Sequence, residues 1–338
     1  MMRYFISFVL INLSLFSFSQ KKSYDFTLTF GSCSKQNIPQ PLWKDIMGTN
    51  PDVFVWGGDI IYADSDDMTK IEQDYTIQKN KPEYQELLNS VPVIGTWDDH
   101  DYGKNDAGKE WSKKEESQQL FLDFFDVPKD SPRRKQSGVY ASRIFKTKKG
   151  SIKIITLDTR YFRSPLKNST SPDRRYEPYQ NGEGTVLGEE QWQWFEKELE
   201  ANYSDFIVIV SSIQFLSSEH GFETWGNFPH EVQKLKKMLI DKKVRNAIVL
   251  SGDRHISEFS TTQIKGLKYP LIDFTSSGLT HSYSDYKGES NKYRVGNVVS
   301  VPSFGVLYFD FDSNTVTMQM KGQKNIVLQE LEKQYPKD

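Results

Sequence analysis

The chain has 338 residues, 37% hydrophobic and 14% aromatic, enough for one large globular domain or two small ones. Its 43 basic and 45 acidic residues leave a net charge of −2, which excludes a nucleic-acid or membrane-surface binder that works by bulk charge. Cys33 is the single cysteine, so no intrachain disulfide framework is possible.

The first twenty residues, MMRYFISFVLINLSLFSFSQ, hold one Arg, then an apolar stretch, then Ser17 and Ser19 at cleavage-site spacing. This reads as a secretory signal peptide over 1–19. The expected mature chain is then one domain, 20–338, secreted or periplasmic. A membrane anchor is the competing reading, but the apolar run falls short of the ~20 residues that span a bilayer. No other stretch is apolar enough to span, so no anchor is expected in the mature chain.

Beyond it, short apolar runs alternate with polar, helix-patterned stretches. The runs are Phe26–Phe30, Val53–Trp56, Val91–Thr96, Ile152–Leu157, Phe206–Ser211, Ala247–Leu250 and Leu271–Thr275. Helices are predicted over Lys81–Asn89, Glu110–Phe125, Gly188–Glu200 and His230–Lys242, with Trp192, Phe195 and Leu199 at helical spacing in the third. Near the end, Gly305–Phe311 and Thr315–Lys321 alternate around Asp312-Ser313-Asn314, a predicted β-hairpin. The pattern predicts an α/β protein with largely buried strands and a second sheet or edge strands from its all-β ending. Residues 162–186, rich in Pro, Arg, Tyr and Gly, are predicted to form a long surface loop beside a binding site.

In open α/β sheets, sites form outside the carboxyl ends of the strands. The residues just past each run are therefore the informative ones: Gly31-Ser32-Cys33-Ser34, Gly57-Gly58-Asp59-Ile60-Ile61-Tyr62, Trp97-Asp98-Asp99-His100-Asp101, Asp158-Thr159-Arg160, Ser212-Ile213-Gln214 and Ser251-Gly252-Asp253-Arg254-His255. Any one alone has a bland reading. Asp59 could cap a turn, Asp253 and His255 could form an ion pair, and Asp158 could pair with Arg160 along one strand face. Together they crowd carboxylates at one edge, where they repel and require a compensating charge that a metal ion supplies.

These strings, in this order, resemble the PhoD-like alkaline phosphatases, a branch of the calcineurin-like metallophosphoesterases. FGSCS, GGDIIYAD, GTWDDHDYG, LDTRYFR and LSGDRHISE carry the resemblance, from Gly31 to about Thr280. It implies a two-sheet β-sandwich core flanked by helices. The wider superfamily uses Asp-x-His, Gly-Asp-x-x-Asp, Gly-Asn-His-Asp/Glu and Gly-His-x-His blocks, and this chain departs from them as the PhoD-like branch does. Cys33 stands in the first block, Asp59 matches the carboxylate shared by two metals, and Tyr62 replaces the second carboxylate. Asp99 and His100 match the Asn-His pair, and Asp253 and His255 match the His-x-His pair. The implied metal ligands are thus Cys33, Asp59, Tyr62, Asp99, Asp253 and His255.

A thiolate, a phenolate and several carboxylates suit Fe3+, and the oxygen-rich remainder suits Ca2+. The branch is known for that pair, with Zn2+, Mn2+ or Co2+ as alternatives. The resemblance implies hydrolysis of phosphate mono- or diesters, by in-line attack of a hydroxide held between cations that share Asp59. His100 would assist the leaving oxygen and Arg160 would grip phosphate oxygens. The expected partner is a small phosphate-ester substrate; no nucleic-acid or protein partner is evident.

Several residues draw cooler expectations. Arg254 is assigned to the surface or to a supporting position. His220, His230 and His281 are assigned to surface or supporting positions, with His281 nearest a strand end. Asp64, Asp66 and Asp67 are expected at the outer rim, where an extra cation site is a minor alternative. Trp111, Tyr161, Phe222 and Trp225 could wall the substrate but read first as core. Two other functions compete: a non-catalytic calcium- or phosphate-binding module, and a serine or cysteine hydrolase using Cys33. The second lacks a visible base and orienting partner.

Overall fold

A computed structural model describes residues 24–200 and 203–337, and the predicted signal segment lies outside the described residues. The strands in chain order are β1 (Phe26–Gly31), β2 (Val53–Gly57), β3 (Val93–Thr96), β4 (Ala141–Lys146), β5 (Ser151–Thr156), β6 (Phe206–Val210), β7 (Ala247–Ser251), β8 (Ser257–Gln263), β9 (Pro270–Ser276), β10 (Arg294–Val299), β11 (Phe304–Asp310), β12 (Thr315–Lys321) and β13 (Val327–Gln334). The α-helices are α1 (Trp43–Met47), α2 (Met68–Lys79), α3 (Pro82–Ser90), α4 (Asp99–Tyr102), α5 (Lys114–Phe124), α6 (Gly188–Glu200) and α7 (Pro229–Asp241).

The strands form two sheets, ordered β13-β12-β11-β1-β2-β3 and β10-β8-β9-β7-β6-β5-β4. Their inner faces share one core, with helices over the outer faces. Period-two alternation explains this layering. Along β2, Val53 and Val55 join the core between the sheets, while Phe54 and Trp56 point into a second core beneath the helices of the first half. Trp192, Phe195 and Leu199 of α6 and Leu235 and Leu239 of α7 seal the second sheet from outside. The fold is therefore the expected two-sheet sandwich flanked by helices.

Parallel register does most to place the site. β1, β2 and β3 run parallel, with Gly57 opposite Thr96, so the turn after β2 lies beside the turn after β3. In the second sheet β5, β6, β7 and β9 run parallel, with Ser251 opposite Thr275. The carboxyl ends of both parallel sets meet at one edge of the sandwich, where Ser212 past β6 donates to Asp98 past β3 at 2.8 Å.

Local details depart from the sequence reading where its signal was weak. Helix α2 went unpredicted because its buried face is mostly polar: Ile71, Asp74, Tyr75 and Gln78. Gln78 is enclosed because its side-chain oxygen accepts from Gln40 Nε2 at 2.6 Å. Helix α5 begins at Lys114, later than the predicted Glu110, since Glu110 instead accepts from the Gly108 N–H at 2.9 Å in the preceding turn. Among the described residues no helix is long and apolar enough to cross a membrane.

Candidate metal centre

Each strand that ends at the shared edge turns sharply just past its last residue. After β2 the backbone passes through Gly58 at φ 98°, where an added Cβ would lie 2.6 Å from the Cβ of Asp98, so only glycine fits. Asp59 follows in the left-handed region at φ 51°; so do Cys33 (60°), Asp253 (69°) and His255 (54°). Each such non-glycine residue costs on the order of 1 kcal/mol. The surrounding hydrogen bonds hold them there. Asp101 accepts from the N–H of Asp98 at 2.6 Å, Ile60 at 3.2 Å and Asp59 at 3.3 Å, which stitches the turn after β2 to the start of α4. Ser277, past β9, accepts from the His255 N–H at 2.7 Å and touches Cys33 Sγ at 3.0 Å.

These turns bring the sequence-expected ligands together. Cys33 Sγ lies 3.2 Å from an Asp59 carboxylate oxygen, and the Tyr62 hydroxyl lies 3.3 Å from the same oxygen and 3.0 Å from His255 Nε2. The potential ligand atoms form three overlapping triads, each within 4.8 Å: Cys33, Asp59 and His255; Asp59, Asp99 and His100; Asp98, Asp99 and Asp253. Asp59 links the first two, and Asp99 links the last two.

The electrostatics of this protein-only arrangement are unfavourable. Burial, then the charges of Cys33, Asp99 and Asp98, push the Asp59 carboxyl well above the usual range, against a smaller lowering by His100. Burial and its carboxylate neighbours do the same to Asp253. Burial pushes the Cys33 thiol up to about 11, and burial with the Asp59 charge raises the Tyr62 phenol well above its ordinary value. Asp59 Oδ1 and Asp98 Oδ2 are enclosed and have no donor. Enclosed carboxylate oxygens without partners are costly and uncommon. A cation reverses each of these effects, because it supplies the missing positive partner and favours the ionised thiol, phenol and carboxyl. The residues present therefore fit metal ions.

His100 sits on the rim of a cleft of about 280 Å³ that also borders Asp99, Asp253, His255, Phe222 and Arg254. Its Nδ1 meets Asp64 Oδ2 at 2.7 Å and its ring stacks on Tyr62 at 4.1 Å. Burial alone would lower its proton affinity. Asp59, the Asp64 hydrogen bond and Asp99 more than offset that, raising it to about 10. Asp99 moves the opposite way: burial is outweighed by Arg160, His100 and backbone N–H donors, and its carboxyl falls to about 2.

Arg160 occupies a place different from the expected grip on phosphate. Its guanidinium is fully enclosed, paired with Asp98 and, at 2.5 Å, with Glu223. Asp158 does not pair with it through the side chain either; it accepts from the N–H groups of Val139, Arg160 and Tyr161 and from Trp97 Nε1, closing the turn after β5. The three rim aspartates also separate. Asp64 orients His100, Asp66 accepts from Trp111 Nε1 at 2.6 Å, and Asp67 caps α2 through the Thr69 N–H at 2.9 Å. No shared cation site forms from them. Of the four aromatic candidates, only Phe222 borders the cleft, 38% exposed; Trp111, Tyr161 and Trp225 are buried. His230 is at the surface with Nε2 3.1 Å from the Gly184 carbonyl, whereas the His281 ring packs against His255 at 4.5 Å and Tyr62 at 5.1 Å.

Sequence reasoning passed over Asp98, Asp101, Glu223 and Ser277. Ser277 was within reach of the strand-end rule, because it directly follows β9 in the same way that Asp253 follows β7. Asp98 and Asp101 lie inside the WDDHD string, but nothing local separates the one that pairs with Arg160 from the one that holds the backbone. Glu223 carries no signal at all; it acts only because Arg160 and Arg163 both reach it.

Residues 28–317 match the sequence model of the PhoD-like phosphatase family. Alkaline phosphatase D of Bacillus subtilis (strain 168) is 25% identical in an alignment of 139 positions, which covers 36% of this chain and 24% of that protein. The chain thus matches about a quarter of that relative's length. A solved structure described as that of PhoD superimposes with a TM-score of 0.69 at 16% identity, covering 92% of this chain and 69% of the other. At that identity the superposition shows a common fold. A 5'-nucleotidase from Candida albicans SC5314 superimposes more loosely, with a TM-score of 0.42 at 14% identity over 86% of this chain and 48% of the other.

Proposed function

Because the chain belongs to the PhoD-like phosphatase family, we propose that it is a metal-dependent phosphoesterase that hydrolyses phosphate mono- or diesters in the cleft beside His100. The observation that carries this reading is the convergence of three ligand triads joined through Asp59 and Asp99, with enclosed carboxylate oxygens left unpartnered. Cys33, Asp59, Tyr62 and His255 would hold one ion, for which a thiolate and phenolate favour Fe3+. Asp59, Asp99 and Asp253, with Asp98 adjoining, offer hard oxygen ligands that favour Ca2+. Such ions supply Lewis acidity toward phosphoryl oxygens and make water a stronger acid.

The protein's own groups have distinct tasks in this reading. Asp64 holds Nδ1 of His100, which leaves Nε2 to serve the cleft. The surrounding carboxylates keep the imidazole protonated, as a general acid toward the leaving oxygen requires. Cations nearby would bring its proton affinity down toward neutrality, where proton transfer is most effective. Arg160 positions the Asp98-Asp99 turn and does not touch the substrate. The N-terminal sequence supports export of the mature chain.

Elemental analysis of the purified protein, run beside a panel of mono- and diesters before and after chelation, tests the reading. Hydrolysis that disappears with the metal and returns on reloading is expected. Full activity without metal, or no hydrolysis of any ester by the metal-loaded protein, would sink it.

A further inference from the structure

Three side-chain N–H donors near the cleft are enclosed yet have no acceptor: Arg174 Nε, His220 Nε2 and Arg254 Nε. They gather around the short segment Ser218–Phe222. The Gly221 carbonyl accepts from the Arg175 N–H at 2.9 Å and the Tyr176 N–H at 3.0 Å, so the long loop is pinned to this segment. Gly221 lies at φ 81°, and an added Cβ would come within 3.0 Å of the Arg174 Cα; glycine lets the two strips of chain close together.

His220 is 8% exposed. The Phe222 N–H donates to its Nδ1 at 3.2 Å, so in the neutral ring the proton sits on Nε2. Burial and the charges of Arg254, Arg174 and Arg294 keep the ring neutral by depressing its proton affinity well below the ordinary range. Nε2–H is thus a fixed, unused donor.

The arginines divide by partner. Arg294 is occupied by Glu258 at 2.6 Å. Arg254 spends Nη2 on both oxygens of Glu289, at 2.8 and 2.9 Å, and lies 4.2 Å over the Phe222 ring. Its Nε remains without an acceptor. Arg174 has no carboxylate partner among the described residues; its one hydrogen bond is a long contact from Nη2 to the Ser218 carbonyl at 3.5 Å. One positive charge and three unused donors therefore surround a segment whose Phe222 also borders the reaction cleft. Enclosed donors without acceptors are rare in folded proteins. An oxyanion satisfies them, because guanidinium and imidazole N–H groups bind carboxylate or phosphate oxygens through charge-assisted hydrogen bonds.

We propose that Arg174, His220 and Arg254 form a second anion subsite at the outer end of the cleft, which takes a carboxylate or phosphate carried by the ester substrate in addition to the phosphoryl group that reacts. The inference rests on the phosphoesterase reading and narrows it to substrates with two anionic groups.

The test uses the metal-loaded full chain and matched pairs of phosphate monoesters: esters of short ω-hydroxy carboxylic acids of graded length, each against the ester of the neutral diol of equal length. At one or two lengths the acid should show a KM lower by about ten- to a hundredfold, the range for a charged hydrogen bond, with kcat changed less. Arg174→Gln should bring the paired KM values together, and Arg174→Lys should keep part of the preference. Calorimetric binding of the same pairs reads the subsite whether or not turnover occurs. A binding preference for the acid without hydrolysis would sink the phosphoesterase reading and keep the subsite. An acid and alcohol that bind and react within about twofold at every length would overturn the subsite, and so would a preference left intact in folded Arg174→Gln.

Discussion

Replacing Arg160 by Met separates a structural arginine from one that grips substrate. The guanidinium is wholly enclosed between Asp98 and Glu223, so its loss leaves two buried carboxylates without their main counter-charge. Breaking a buried pair from one side typically costs about 3–5 kcal/mol. Glu223 keeps Arg163 at 2.8 Å and Asp98 keeps the Ser212 hydroxyl at 2.8 Å, which places Arg160→Met at about 3 kcal/mol. The penalty should depend on pH. Burial already holds the Asp98 carboxyl up at about 7 despite the Arg160 charge, and losing Arg160 raises it further. A carboxyl whose folded pKa lies above its unfolded value gives stability that is present at low pH and lost as pH rises. The variant should therefore fall further behind the parent from about pH 5 to about pH 8. Urea denaturation at several pH values measures this, with metal content and kcat followed in parallel; both should drop, because Asp99 adjoins Asp98 in the same turn. A variant within about 1 kcal/mol of the parent, with full metal and a loss confined to KM, would refute the reasoning and return Arg160 to the phosphate.

Other perturbations test the remaining assignments. Cys33 should resist alkylation in the metal-loaded protein and Cys33→Ser should lose metal; rapid labelling of the loaded protein, or a serine variant with full metal and activity, would count against a bound thiolate. If Tyr62 meets Fe3+, the protein should be coloured and Tyr62→Phe should lose the visible band; a colourless, fully active parent without iron would point to another metal. His100→Ala should lose about 10²–10⁴-fold on alkyl phosphate esters, or roughly 3–5 kcal/mol of barrier, and far less on nitrophenyl esters. An equal loss on both would mean that His100 stabilises phosphoryl charge instead. Asp64→Asn removes a carboxylate that raises the proton affinity of His100, so the alkaline limb of the pH–rate profile should move to lower pH. The metal-stripped protein should lose stability as pH rises from about 4 toward about 7, because Asp98, Asp59 and Asp253 are all raised on folding, and reloading should abolish the slope.

The sequence by itself determined which residues would stand at strand ends and which stretches would bury an apolar face. Trp192, Phe195 and Leu199 define α6 because helical spacing is a local property, readable within a few turns. Cys33, Asp59, Tyr62, Asp99, Asp253 and His255 were legible for a related reason: each directly follows an apolar run, and parallel strands carry whatever follows them to one edge. The tertiary structure decided who meets whom there. Arg160 meets Asp98 and Glu223, both more than sixty residues away, because the first and second sheets face each other edge to edge. Asp64 could be assigned to His100 only once the turn after β2 lay beside α4, and the unused donors of Arg174, His220 and Arg254 emerge only where the long loop closes on Gly221. Periodicity reports which face of one element is buried. The partner of a polar group, and whether it has one, depends on register between strands and on the distance between sheets, and those are set by the packing of the whole chain.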